Sequence, residues 1–190
     1  MALEGRWVQT VGVMKPYTRQ ASVLWSGTRQ RGKGAVSTPS AALKMALYAA
    51  GGDVKRRGTN PPELIAAAHA GSFALSLANE LGEAGYSPRQ IDTTATVTME
   101  NITAGWTLTR IHLDVVAAVP RVAECDFVDA ALRAKANCPV SRALNANISM
   151  RAHLTRREAD AGVRARRGSA ATPAVGLGRK NGAGRNGGKD

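Results

Sequence analysis

Three side chains with reactive potential fall at suggestive positions in this chain: His69 and Ser72, three residues apart, and Cys138 directly ahead of Pro139. On a helix, residues three apart are neighbours, so an imidazole beside a hydroxyl invites comparison with a serine nucleophile and its general base. That chemistry also needs a strand-to-helix elbow, an acid to orient the imidazole and donors for an oxyanion. None is evident around Ser72, and a structural histidine with a serine bonding back to a carbonyl is the stronger reading. Cys138 faces a similar choice. A thiol just before a helix N-terminus is helped toward the thiolate, whereas a buried cysteine without a partner acts as a small hydrophobe. Cys125 lies thirteen residues earlier, and at that spacing along one helix the two would stand about 20 Å apart, too far for a disulfide.

Other patterns carry less. Gly27 to Gly34, reading GTRQRGKG, nearly forms a phosphate-binding loop, but Gly34 stands where Ser or Thr would hold magnesium. The segment also runs into a strand rather than a helix, so no helix N-terminus faces a phosphate. His112 and His153 fall on expected strands without ligand spacing, and the sequence calls for no metal and no cofactor.

The elements that must position these residues follow from periodicity. Ala21–Trp25 and Gly34–Ser37 flank a polar, glycine-rich turn and read as a hairpin. Ser40–Arg57 has little pattern and reads as a loop with at most one helical turn. Asn60 is a cap, Pro61 suits the first helical position, and the apolar stretch that follows runs to Gly82 or Gly85. That helix is apolar on nearly every side, so other elements must surround it. Ile91–Met99 and Trp106–Val119 alternate as half-buried strands do and form a hairpin through Asn101–Gly105. Glu124–Asn137 carries Phe127, Val128, Ala131, Leu132 and Ala134 at helical spacing, and Pro139 opens a short helix to Leu144. Asn147–Leu154 alternates again. Strands, long helix, strands, helix and strand point to an α+β fold with antiparallel sheet.

A chain of 190 residues with 44% hydrophobic content supports one domain with a core, plus extensions. The net charge of +12 is divided, with nine basic and three acidic residues from Arg156 onward. That tail has no aromatic residue and eight glycines, a composition unable to bury enough apolar surface to offset ordering entropy. The expected organisation is an N-terminal extension (1–19), a folded domain (20–155) and a basic disordered tail (156–190). Any contact of the tail with nucleic acid should be nonspecific. The N-terminus lacks the apolar region of a secretory signal, and the longest uncharged apolar run, Leu64–Ala78, is shorter than a membrane span. Two cysteines in no framework fit a reducing, cytoplasmic setting, without membrane attachment.

Gly58-Thr59-Asn60-Pro61, Glu63 to Ala70 (ELIAAAHA) and Asn137-Cys138-Pro139-Val140-Ser141 together resemble the OsmC/Ohr family of osmotically inducible and organic hydroperoxide resistance proteins. Arg31-Gly32-Lys33-Gly34, Ile91 to Ala95 and Gly105-Trp106 support it, and the resemblance covers roughly residues 20 to 155. It implies an intertwined homodimer, with antiparallel sheets wrapped around central helices. It also implies a thiol-dependent reductase of organic hydroperoxides. In such proteins a peroxidatic cysteine on the central helix becomes a sulfenic acid and condenses with the cysteine of the Cys-Pro motif. A dithiol reductant then reopens the disulfide, while an arginine and a glutamate hold the thiolate and the peroxide.

Carried over residue by residue, the resemblance leaves gaps. The peroxidatic position falls on Ser72, the glutamate on Pro62, and the arginine on Gly52 or Asp53, with Arg56 or Arg57 as substitutes. Glu63 is adjacent to Pro62, but one helical step rotates it by about 100°. Cys138 occupies the second-cysteine position, and His69 and Phe73 are expected to line a pocket for an organic hydroperoxide or other hydrophobic small molecule. Three readings result: a stress-response scaffold with its peroxidatic centre dismantled, a one-cysteine peroxidase using Cys138, and a polyanion binder using the tail.

Overall fold

In the computed structural model, residues 17–29, 31–49 and 57–155 are described. The extension up to residue 16, Gly52, Asp53, Arg56 and the tail from 156 lie outside them.

The core begins with the long helix α1 (Pro61–Glu83). Asn60 starts it as expected: its side chain accepts from the Glu63 backbone N–H at 3.0 Å, and Pro61 follows where no N–H is needed. Gly85, at φ +82°, ends it. Tyr86 N–H reaches back to the Leu81 carbonyl and Gly85 N–H to that of Gly82, a pairing that requires a left-handed residue between them. Between these ends only one stripe is buried, comprising His69, Phe73, Leu77, Glu80 and Leu81. The opposite side is not covered, and Leu75 is 75% exposed.

That stripe rests on β4 (Gln90–Ile102) and on α2 (Glu124–Asn137). β4 pairs antiparallel with β5 (Gly105–Ala118), with Ile102 opposite Gly105 and a bulge near Thr98 and Met99. Along β5, Ile111, Leu113, Val115 and Ala117 face the core, while Arg110, His112 and Asp114 occupy the other face. α2 adds Phe127, Ala130, Ala131 and Ala134 to the same core. Val128 and Leu132, expected to share that packing, are exposed.

After α2 the chain makes the short helix α3 (Pro139–Ala143) and then β6 (Asn147–Leu154). β6 joins β5 in parallel, from Arg110 opposite Asn147 to Ala117 opposite Leu154. The expected all-antiparallel arrangement therefore holds for the β4–β5 pair and not for this one. The cause is the helical crossover, which carries the chain back to the starting end of β5 before it enters β6.

A second, separate sheet has the order β1–β2–β3, with β1 (Ser22–Ser26), β2 (Lys33–Ser37) and β3 (Ala46–Tyr48), all antiparallel. The expected hairpin is present, but β3 lies in the middle of Ser40–Arg57, which the sequence suggested was loop. Three residues are too few to show periodicity; the strand exists because Val36, Ala35 and Gly34 offer it an edge. This sheet is tied to the rest by reciprocal hydrogen bonds of Leu47 and Ala49 with Thr59, at 2.8 Å.

Replacing Asn60 by Ala should destabilise the chain by about 1 kcal/mol, and replacing it by Asp should cost much less. Urea unfolding of the two variants checks this; equal losses would show that the cap hydrogen bond contributes nothing.

Candidate active site

Pro139 determines where the cysteine sits. Having no N–H to donate and disfavouring a helical residue before it, proline ends α2 and starts α3. Cys138 is the junction, at φ −59° and ψ 121°. Its N–H still caps α2 on Ala134, and its carbonyl accepts from Arg142. The side chain is thereby turned onto α1, where its Sγ lies 3.3 Å from Ser72 Oγ.

This contact is the middle one of three polar rungs between α1 and the α2–α3 segment. Toward the start of α1, His69 Nε2 lies 2.8 Å from Ser141 Oγ. Two turns along from Ser72, Glu80 accepts from Asn137 Nδ2 and Arg133 Nε, each at 2.8 Å. Phe73 and Leu77, both fully buried, fill the seam between the rungs. Ser76 donates to the Ser72 carbonyl at 3.0 Å.

The electrostatics differ from rung to rung. Burial holds the His69 imidazole below its ordinary pKa, which leaves the ring neutral at pH 7 with Nδ1 unpartnered. At Cys138, burial works against the thiolate, but hydrogen bonds with the Ser72 hydroxyl, with Ser141 and with the Val140 backbone outweigh it. The thiol is drawn below its ordinary pKa. Glu80 is held below the ordinary carboxylate value by its bonds from Asn137 and Arg133, against the opposing effect of burial.

A cleft of about 410 Å³ opens beside the seam, lined by Ser72, Leu75, Ser76, Asn79, Asn137 and Pro139 among others. Ser72 reaches it; Cys138 has no exposed surface and sits behind Ser72. His69 and Phe73, expected to line a pocket, are also fully buried and do not line the cleft. Burial at 0% makes them wall supports rather than contact residues. A larger cavity, about 570 Å³ around Arg89 and Arg121, contains none of these groups.

The chain belongs to the OsmC/Ohr family. The family of OsmC-like proteins matches residues 51–153. The chain is 44% identical over 133 residues to peroxiredoxin OsmC of Escherichia coli K12, spanning 70% of this chain and 93% of that one. Solved structures share the fold at lower identity. An organic hydroperoxide resistance protein from Elizabethkingia anophelis has TM-score 0.58 at 22% identity, over 75% of this chain and 99% of its own. OhrB of Bacillus subtilis has TM-score 0.52 at 20% identity, over 72% and 98%. An OsmC-like protein from Mycoplasma pneumoniae has TM-score 0.62 at 12% identity, over 74% and 99%.

The remaining expected site positions are dispersed. Pro62 is the second residue of α1, ten residues and about 15 Å along the axis from Ser72, and partly buried. Arg57 lines a different cavity, with Arg31 and Lys33. Among the described residues no group of three His, Cys, Asp or Glu could hold a metal ion. None of the described helices is long and apolar enough to cross a membrane. Cys125 is exposed and free.

Sequence reasoning missed Glu80 and Arg133, and it singled out Asn137 and Ser141 only as part of the motif around Cys138, without their contacts to α1. One signal was available: Glu80 continues the spacing of His69, Phe73 and Leu77, and a carboxylate on a buried stripe demands donors.

A carboxyl with a depressed folded-state pKa contributes stability that is complete above its unfolded value and lost as pH falls through the folded one. The native chain should therefore lose more stability than Glu80→Gln as pH drops below 4.5, the ordinary value of this carboxyl. Urea midpoints across that range measure it, and parallel pH curves would show that the rung carries no such linkage.

Proposed function

We propose that this protein keeps the scaffold of a thiol-dependent organic hydroperoxide reductase of the stress response while lacking the first thiol of its redox pair. Little or no peroxidase turnover follows. The observation that carries this reading is the 3.3 Å contact between Cys138 Sγ and Ser72 Oγ, just behind the cleft that Ser72 lines. Peroxiredoxin OsmC of Escherichia coli, to which the chain is similar, supports the reaction class.

The reaction needs two sulfurs at this contact. A thiolate attacks the peroxide, the O–O bond breaks, the alcohol leaves, and the sulfur becomes a sulfenic acid. The second thiol displaces water from it to form a disulfide, and a dithiol reductant restores both. Ser72 offers a hydroxyl at the first position, which supplies neither a neutral-pH nucleophile of comparable strength nor a sulfur to oxidise. Cys138 keeps the second position, with Pro62 and the Gly52–Asp53 segment standing where the family's glutamate and arginine belong. The substrate class is an organic hydroperoxide or another hydrophobic small molecule, held beside Leu75, and the setting is the cytoplasm.

The lowered thiol pKa favours a second reading, in which Cys138 acts alone as a one-cysteine peroxidase. Its complete burial behind Ser72 opposes that reading, because a peroxide must reach the sulfur along the O–O axis. A polyanion-binding role for the basic tail rests on charge alone.

Hydroperoxide consumption with a dithiol, for the native chain, Ser72→Cys and Cys138→Ala, tests the proposal. The native chain should stay at background, and Ser72→Cys should gain a 72–138 disulfide after peroxide, detected by mass under non-reducing conditions. Cys138-dependent turnover in the native chain would instead establish the one-cysteine reading.

Homodimer formation is part of the same proposal. α1 leaves Leu75 uncovered, and the β1–β3 sheet presents Leu24 at 65% exposure while packing little against its own chain. A second copy that lays its sheet over α1 buries both. Light scattering should give twice the chain mass, and Leu24→Asp should shift the protein toward monomer; a monomeric native chain would refute the arrangement.

A further inference from the structure

The segment Gly27–Gly34 fails as a phosphate-binding loop, yet its cations converge. Arg31 and Lys33, from the β1–β2 turn, and Arg57, from the link into α1, line one cavity of about 260 Å³ together with Tyr48, Gly32 and Gly34. Among the described residues no acidic side chain lines it, and none of the three cations has an ion-pair or hydrogen-bond partner for its side chain.

The cavity is held in shape from beneath. Trp25 lies against the glycine strip so closely that a Cβ on Gly32 would come within 2.5 Å of its ring and of the Thr28 carbonyl. The indole donates to the Gly27 carbonyl at 2.9 Å and meets Tyr48 edge to face, with ring centroids 6.4 Å apart. On the other side the backbone is anchored two residues after Arg57, where Thr59 exchanges hydrogen bonds with Leu47 and Ala49. Two chain segments more than twenty residues apart are thus locked together around the cations.

Three like charges around one small cavity repel one another, and no acidic side chain among the described residues lines the cavity to offset that repulsion. A bound anion does. Two guanidinium forks match the paired oxygens of a phosphoryl group, and the lysine adds a point charge.

We infer that the cavity formed by Arg31, Lys33 and Arg57 is a binding site for a small phosphorylated anion, a diphosphate or phosphomonoester. It reads the anion through side-chain cations rather than through backbone amides, which explains why the loop pattern is incomplete. The site lies wholly within one protomer, uses neither Ser72 nor Cys138, and is independent of whether the chain reduces hydroperoxides.

Calorimetric titration of the full chain with inorganic pyrophosphate at physiological ionic strength tests it. Saturable binding to one site per chain is expected, weakened about tenfold or more by Arg31→Ala and by Arg57→Ala, as loss of a charge-assisted bond implies. Arg57→Lys should recover only part of the affinity, because it restores charge without the fork. Arg89→Ala, which removes the same charge elsewhere, should leave the constant unchanged. Absence of saturable binding, or equal weakening by Arg89→Ala and Arg57→Ala, overturns the proposal, the latter by showing that only overall charge is felt. Circular dichroism of each variant separates lost binding from lost fold.

Discussion

The arrangement of this protein depends on a break in a helix. Because Pro139 has no amide hydrogen and forces Cys138 out of helical geometry, the chain between β5 and β6 becomes two helices instead of one. The break sets the direction in which α3 leaves, brings Ser141 under His69, and leaves Arg133 and Asn137, one turn apart near the end of α2, facing Glu80. The crossover that results also delivers β6 parallel to β5. A continuous helix from Glu124 onward would carry residue 138 past α1 and dissolve all three rungs.

The rungs stabilise and specify in different proportions. The apolar seam of Phe73, Leu77 and Phe127 supplies most of the driving force, at roughly 1.5–3 kcal/mol for each fully buried side chain. A hydrogen bond between neutral partners adds about 1 kcal/mol, so the Ser72–Cys138 contact is a modest contributor. It serves instead to fix register, since sliding α1 by one residue would strand the His69, Ser72 and Glu80 side chains away from their partners. The Ser72 hydroxyl holds that register by accepting from the Cys138 thiol.

Much of the architecture was legible in the sequence where local chemistry is strong. Asn60-Pro61, Gly85, the alternation of β4 and β5, and the Cys138-Pro139 break each announce an element boundary, and the structure places elements there. What escaped reading depends on partners distant in the chain. β3 is a strand only because β2 offers it an edge, and the direction of β6 follows from the path of the crossover rather than from its own alternation. The Glu80 rung is similar: fifty-three residues separate it from Arg133, and no local pattern links them. Exposed Val128 and Leu132 show the converse, helical spacing that suggests burial where the single chain provides no cover.

The two cysteines differ completely in accessibility: Cys125 stands in solvent at the first turn of α2, and Cys138 is sealed behind Ser72 at its end. One helix therefore carries an external reference and an internal probe of the same chemistry. Any thiol reagent in the medium meets the first sulfur at once and the second only when the seam between α1 and α2 parts. The ratio of the two reaction rates is then a clock for local opening of this seam, built into the chain without a label. With a serine at position 72, no neighbouring sulfur on α1 competes for the reagent that enters.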